Sequence, residues 1–434
     1  SSTEAGRPDV RITRFGQGAA LEPQADLNPI SRGQSPWTVL PSDAAITSLN
    51  IPTGFARFLR DKLDVPGGII HVAVSGTNQG AWMHRKTLES FPGHGKHANY
   101  YQELLAAHNA GLAKKGKDIK SWEGFEKAMV AWRANPKGRS PADMTIMNFP
   151  TTLYNTRIHP LAPFALRGVI WHQGEGGPGG PYGRRLVAMA RQWREHFGQD
   201  FYFIWGTLAR NTKASPPIQP QPTWFYRSST NAEIRNAVEY FGDDGRAELV
   251  ELYDVGDHET HFLQKAEASR RFGLAALTLA YGQDHIYSGP LKTDVTIAGG
   301  KAIVRFDRVG EGLVYKPSID GISGVYVQGK DEAYRWAHVE VTGKDTIEIS
   351  HPEVSEITAV GYAVNDNPHE TLFNSEGYPA SPFKTNMERI PWSGHAGGMR
   401  LVALDDSSPS KPNISITHVR RGGYVFQLIG GRGT

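Results

Sequence analysis

The 434-residue chain is 39% hydrophobic and 21% charged, ordinary values for a globular protein long enough to bury two or three cores, so disordered and collagen-like classes drop out. Lys plus Arg number 47 against 44 Asp plus Glu, with the basic residues scattered, which argues against a nucleic-acid partner. The lack of cysteine excludes cysteine nucleophiles, disulfides and thiolate zinc sites. No run approaches the roughly 18 apolar residues of a membrane span. The opening SSTEAGRPDV has no basic-then-apolar secretion signal, which leaves a cytosolic protein or one whose leader is already removed. Ten Trp and 16 Tyr are numerous enough for the aromatic platforms of carbohydrate sites, although aromatics are more often core.

Up to about Gly282 short apolar runs alternate with amphipathic stretches, the pattern of βαβ units around a mostly parallel sheet. Phe55, Phe58, Leu59 and Leu63 fall at helical spacing after Pro52-Thr53, and GGIIHVAVS then supplies a buried strand. The polar stretch 84–136 predicts a helical insertion over the sheet's edge. RGVIWHQ reads as a strand, followed by a helix with Leu186, Met189, Ala190, Trp193 and Phe197 on one face, then the strand FYFIWGTLA. A Pro-rich loop leads to a helix near 231–241, the strand AELVELYDV, the loop GDHETHF, and a helix over 264–281 whose stripe is Ala268, Phe272, Ala275, Ala276 and Leu279. Residues 1–282 are thus one α/β domain. Short alternating segments such as VTIAGGKAIVRF make 283–390 a second, β-rich, sandwich-like domain, and 391–434 is a Ser/Pro/Gly-rich extension with one or two edge strands.

In open α/β sheets reactive groups cluster where strands end. Three such ends carry polar residues: Ser75-Gly76-Thr77, His172-Gln173-Gly174-Glu175, and Asp254 through His261. Singly each is weak, because a serine there is commonly a helix cap, Gln-Gly-Glu an ordinary turn, and a lone histidine a structural one. Together they suit acyl transfer. A carboxylate, Asp257 or Asp254, would orient His261 as base. Gly76, lacking a side chain, would bring its backbone N–H to an oxyanion, with Gln173 or Asn78 as second donor. Two rivals use the same residues: a metal held by His258, His261 and Asp257, and a glycosidase pairing Glu175 with Asp257.

Four segments carry a specific resemblance: DVPGGIIHVAVSGTNQGAWM, TTLYNTRIHPLAPFALRGVIWHQGE, DVGDHETHFLQKAEASRRFGLAALTLAYG and TLFNSEGYPASPFKTN. In this order they resemble the long motifs of the sialate O-acetylesterase family, and the similarity runs from about Pro8 to Asn386. The resemblance implies an SGNH hydrolase with a flavodoxin-like three-layer domain and β-sandwich modules, which removes O-acetyl groups from sialic acid or related sugars. It implies no cofactor, an acetylated carbohydrate as partner, and a secreted or periplasmic location. Gly76 matches an oxyanion glycine, Gln173-Gly174-Glu175 the family's QGE, and His261 the base. Ser75 aligns with the first Gly of the family's GGT, so it is not expected to be the nucleophile. The family's nucleophile, the Ser of GQSNM on a first strand, would lie upstream of Ser1. Gly33-Gln34-Ser35 offers a GQS, but after a polar stretch and before PW. QGEGG in place of QGES, and Phe262 in place of a Pro after the base, set this chain apart. A sugar-binding relative without the nucleophile is the competing class.

Overall fold

The computed structural model describes residues 7–14, 18–20, 22–27, 37–40, 50–91, 130–131, 134–135, 150–176, 181–212, 226–318 and 320–385, with four short strands between 413 and 429. The chain forms two compact units, Ser1–Arg389 and Ile390–Thr434.

The larger unit opens with β1 (Arg7–Arg14), which pairs antiparallel with β2 (Trp37–Leu40) and parallel with β3 (Gly67–His71). Alternation along β1 turns Val10 and Ile12 inward onto Leu40 and Ala56. Helix α1 (Ile51–Leu63) joins β2 to β3. It starts where Asn50 Oδ1 accepts the Thr53 N–H at 3.0 Å, carries Pro52 in its first turn, and ends at Asp64 in the left-handed region, φ 54°. The short helix α2 (Arg85–Glu89) opens the stretch 84–136; the rest of the expected helical insertion, apart from 130–131 and 134–135, falls outside the described residues.

A second sheet, all parallel, has the order β4-β5-β6 with β4 (Gly168–Trp171), β5 (Tyr202–Gly206) and β6 (Ala247–Val250). The period of two sends neighbouring residues of β5 to opposite faces. Phe203 and Trp205 join α3 (Tyr182–Phe197) and α4 (Tyr226–Phe241) in one core. Ile204 joins α5 (Lys265–Tyr281) and α1 in another. Helices therefore cover both faces of a parallel sheet, as the alternating pattern predicts, and the stripe Leu186, Met189, Ala190, Trp193 and Phe197 is buried. Helix α4 begins at Tyr226, five residues before the expected start at Asn231. The strand expected over GGIIHVAVS stops at His71, because Arg14↔His71 is the last pair that β1 offers it.

After Gly282 the described residues form strands, turns and loops without a helix. Two four-stranded sheets, β11-β10-β14-β16 and β12-β13-β8-β7, share one core that includes Val304, Val327, Ile347, Ile349 and Val360. Their strands are β7 (Leu291–Ala298), β8 (Lys301–Asp307), β10 (Val325–Gly329), β11 (Tyr334–Trp336), β12 (His338–Val341), β13 (Thr346–Ser350), β14 (Ile357–Tyr362) and β16 (Phe383–Lys384). The pair β9 (Leu313–Tyr315) and β15 (Leu372–Asn374) completes this region. Along β8, Ala302, Val304 and Phe306 are buried while Lys301, Ile303 and Arg305 are exposed, the alternation of a sheet with one wet face. In the smaller unit Asn413–Ser415 pairs with Gln427–Ile429 and Val419–Arg420 with Gly423–Tyr424. Among the described residues no helix is long and apolar enough to cross a membrane.

Candidate active site

Past β3 the chain turns at Gly76, whose φ of +72° favours glycine, although a Cβ there would meet nothing within 4 Å. Thr77 fixes the turn: its Oγ1 donates to Val74 O at 2.8 Å and accepts the Trp82 indole N–H at 3.1 Å. Asn78, the alternative second donor, has its Oδ1 engaged as a cap on the Ala81 N–H at 3.1 Å. Ser75 is exposed.

Strand β4 delivers His172 and Gln173. The Gln173 Nε2 donates to Thr77 O at 2.8 Å, which ties the carboxyl ends of β3 and β4 together. Its Oε1 accepts from the Tyr182 hydroxyl at 2.7 Å, and that hydroxyl in turn accepts the Trp171 indole N–H at 3.0 Å. One amide hydrogen of Gln173 is thereby committed and its plane is fixed. Burial pushes the Tyr182 hydroxyl pKa up, so it stays a donor. The His172 ring lies with Nε2 3.2 Å from Thr207 O and Nδ1 3.7 Å from Glu175 Oε1. Burial pushes the pKa of His172 down and Glu175 opposes it.

The third loop follows β6. Asp254 is taken by Arg271 in a two-pronged pair at 2.7 and 2.6 Å, so it braces α5 rather than the base. Gly256 lies on the backbone of Arg210: a Cβ would come 2.1 Å from Arg210 O. Thr212 N donates to Asp257 O at 2.9 Å, and Asn211 Nδ2 to Thr260 Oγ1 at 3.0 Å. The Asp257 carboxylate accepts the Glu259 and Leu263 N–H groups, each at 2.7 Å. Those bonds, Leu263 first, hold its pKa below the usual value. In this geometry Asp257 shapes the loop that carries His261. His261 itself is exposed, and among the described residues its ring takes no hydrogen bond. Four residues on, the half-buried Lys265 ammonium sits 3.6 Å from the Phe262 ring centroid; burial lowers its pKa, and Glu175 and Asp257 raise it.

A cavity of about 1000 Å³ opens among these ends, and Ser75, Thr77, His172, Gln173, His261 and Lys265 line its mouth. Gly76 sits between two lining residues, while Glu175 and Asp257 are not among the lining residues. Ser35 lies outside the described residues. Among the described residues no group of three His, Cys, Asp or Glu could hold a metal. An accessible imidazole, a left-handed turn and an aimed amide are groups that acyl transfer can use. His172 belongs to the second strand-end cluster that the sequence offers, but Tyr182 and Lys265 were not singled out by the sequence. A tyrosine opening a helix carries no local sign of what its hydroxyl will meet.

Comparison with known proteins finds similarity to esterases that act on carbohydrates. The crystal structure of a carbohydrate acetylesterase from Xanthomonas citri matches with a TM-score of 0.65 at 25% identity, over 88% of this chain and 74% of that one. More particularly, the chain is similar to sialate O-acetylesterases, the family whose motifs its four segments resemble. It is 23% identical over 277 residues to the Mus musculus enzyme, covering 58% of this chain and 46% of that protein. With the Homo sapiens enzyme it shares 25% over 274 residues, 58% of this chain and 43% of that protein. The chain thus spans less than half the length of these curated relatives. No family model matches it.

Proposed function

We propose that the protein is a carbohydrate O-acetylesterase that hydrolyses acetyl esters of sialic acid or a related sugar by serine attack. The observation that carries this reading is the convergence of Ser75, Gln173 and His261, from three separate loops, on one cavity mouth. In this reading His261 takes the serine proton and returns it to the departing sugar hydroxyl. The Gly76 N–H and the second amide hydrogen of Gln173 receive the oxyanion, and Asp257 sets the loop of the base. Glu175 lies by His172 and Lys265 and adjusts the charge beside the substrate. The Ser75 hydroxyl stands next to the oxyanion, and the attacking serine belongs to a segment outside the 434 residues. We assign residues 1–282 to an SGNH-type, flavodoxin-like domain, 283–390 to a β-sandwich-like domain and 391–434 to an extension, in a secreted or periplasmic protein.

Acetate release from O-acetylated sialic acid by the full-length polypeptide tests the activity, and fluorophosphonate labelling followed by mass spectrometry tests the nucleophile. A label on Ser75 or Ser35 would overturn the assignment of the serine. The second reading, a non-catalytic sugar-binding relative, draws on one observation: among the described residues no hydroxyl bonds the His261 ring. It predicts saturable sugar binding in calorimetry with no acetate release from the full-length polypeptide.

A further inference from the structure

We propose that His84, His159 and His196, gathered around the ring of Tyr154, form an acid-sensitive latch. Uncharged, the three imidazoles hold segment 82–89 on α3 and steady the turn at Gly76; protonated, they release it. The consequence at that turn rests on the proposed function, whereas the latch itself does not.

Three stretches of chain meet here: the residue before α2, the helical turns Tyr154–Ile158 and His159–Leu161, and the last turn of α3. Tyr154 is buried, and its ring centroid lies 5.3 Å from that of His84, 6.2 Å from that of His159 and 5.7 Å from that of His196. His159 and His196 stack on each other, with centroids 4.7 Å apart and planes inclined at 23°. The His196 Nε2 lies 3.2 Å from His159 O, and since a carbonyl only accepts, that nitrogen carries a hydrogen. The His159 Nδ1 is buried and among the described residues has no hydrogen-bond partner. Both nitrogens of an imidazolium donate, so protonation of His159 would leave a buried charged donor there without an acceptor.

The surroundings favour the uncharged form. Stacked imidazolium rings repel, so His159 and His196 do not both ionise. The Tyr154 ring can offset one imidazolium through its π face, but three imidazoles share it. From α2 the Lys86 ammonium adds positive charge beside His84, and Arg85 pairs with Glu89 at 2.8 Å. From α3 the Glu195 carboxylate opposes Lys86. On the turn of Tyr154, burial lowers the pKa of Arg157 to about 10, so it stays charged throughout this range. Burial, then Lys86, His196 and His159, hold the pKa of His84 below the ordinary 6.5, and burial, then His196, hold that of His159 below it. Opening returns both rings to the ordinary value. The stability of the closed latch is therefore fully present above about pH 6.5 and is lost as pH falls through the lower folded values.

The latch reaches the site through Trp82, two residues before His84. The Trp82 carbonyl accepts the Trp193 indole N–H at 3.1 Å, and its own indole N–H goes to Thr77 Oγ1 at 3.1 Å. Thr77 fixes the Gly76 turn and accepts the Gln173 amide on its carbonyl.

The test is amide hydrogen exchange on the full-length polypeptide at about pH 7.5 and about pH 5, corrected for the intrinsic rate. Protection of 83–91 should fall at least about tenfold at the acid pH, while that of β7 and β8 changes less than about twofold. In His84→Phe/His159→Phe, whose rings still pack but take no proton, the loss should shrink to within about threefold. Exchange of the imidazole C2 hydrogens, read by mass spectrometry on the unaltered protein, should give midpoints for His84 and His159 below 6.5. Together with the wild-type amide exchange, this decides the matter if the double variant does not fold. Unchanged protection of 83–91, an equal loss in β7 and β8, an undiminished loss in the folded double variant, or midpoints at or above 6.5 would overturn the latch. Acetate release reads the link to the turn: turnover of the double variant relative to wild type should rise at least about threefold from about pH 7.5 to about pH 5, and a flat ratio would overturn that link. If protection is lost as expected but no preparation releases acetate at any pH, the latch stands and the proposed function falls. If acetate is released while 83–91 keeps its protection, the latch falls and the function stands.

Discussion

Replacing Tyr182 by Phe removes one oxygen and takes a partner from three polar groups: the Trp171 indole N–H at 3.0 Å, and the Gln173 Oε1 at 2.7 Å and Gln173 O at 2.9 Å, which share the one hydroxyl hydrogen. Each such buried group costs about 1–3 kcal/mol. Gln173 is only half-buried, so its oxygens regain some hydration, and the expected loss of stability is about 2–4 kcal/mol. The effect on catalysis is separate. Gln173 keeps its bond to Thr77 O but loses the restraint that fixes its amide plane. Complete loss of an oxyanion donor is worth about 3–4 kcal/mol, and a misdirected donor less, so kcat should fall about ten- to a hundredfold. KM should stay within about threefold, because the oxyanion exists only in the transition state. Because burial holds the Tyr182 proton in place, the deficit should not vary with pH across the neutral and mildly basic range. The assay is acetate release by the full-length polypeptide beside thermal unfolding of the same preparations. A lowered melting temperature with unchanged kcat would refute the positioning role, and so would full additivity with Gln173→Ala, since residues acting through one donor do not add.

Other outcomes follow from the same geometry. His261→Ala should lower turnover by about 10²–10⁴-fold in a folded protein; near-normal acetate release would remove it as base. Gly76→Ala should cost about 1–2 kcal/mol of stability from the left-handed backbone alone, since space for a Cβ exists, with kcat reduced more than KM; a raised KM with unchanged kcat would place Gly76 in substrate binding. Gly256→Ala forces the loop off Arg210, where the Cβ would lie 2.1 Å from a carbonyl oxygen, and should lower both melting temperature and turnover. Burial opposes the charge on Glu251, but Arg235, Ser381 and Thr207 outweigh it and hold its pKa below the ordinary 4.5. The stability it contributes is present above about pH 4.5 and is lost as pH falls through the lower folded value. Glu251→Gln should therefore cost about 3–5 kcal/mol at neutral pH and flatten the acid limb of a melting-temperature profile; an unchanged limb would show that the pair does not govern acid stability.

Strand and helix periodicity made the α/β part legible. Trp193 and Phe197 fall on the stripe that is buried, and the change to alternation after Gly282 coincides with the all-β region. Strands β1 and β2 were not legible in the same way, since β1 interleaves Val10 and Ile12 with charged neighbours and β2 has four residues. Ser75, Gln173 and His261 follow strand ends, where topology puts chemistry, so these cavity-lining residues could be named as candidates in advance. Their supports could not. Asp254 and Asp257 look interchangeable in sequence, and only the fold gives Arg271 to one and two backbone amides to the other. Likewise the bond from Tyr182 to Gln173 depends on where α3 begins relative to β4, a tertiary distance with no sequence period behind it.

The loop that carries His261 also depends on the β-rich region, through contacts that reach the ends of β5 and β6 and the start of α4. Tyr253 donates its hydroxyl to Ala380 O at 2.9 Å, and Ser381 donates to Glu251. Arg210 Nη1 meets Glu370 at 2.5 Å and donates to Pro368 O at 3.2 Å, while Asp366 accepts the Ser228 N–H at 2.7 Å. Glu251, Tyr253 and Arg210 are the residues from which the loop hangs: the first two lead directly into it, and Gly256 rests on the third. Most of these groups are buried, so their hydrogen bonds act in a low dielectric, where a lost partner costs more than a made bond gains. The β-rich region is therefore part of the frame that aims His261. A chain cut after Gly282 would expose the Tyr253 ring and leave the Glu251–Arg235 pair without Ser381, and the loop would lose its anchor before it lost any residue of its own.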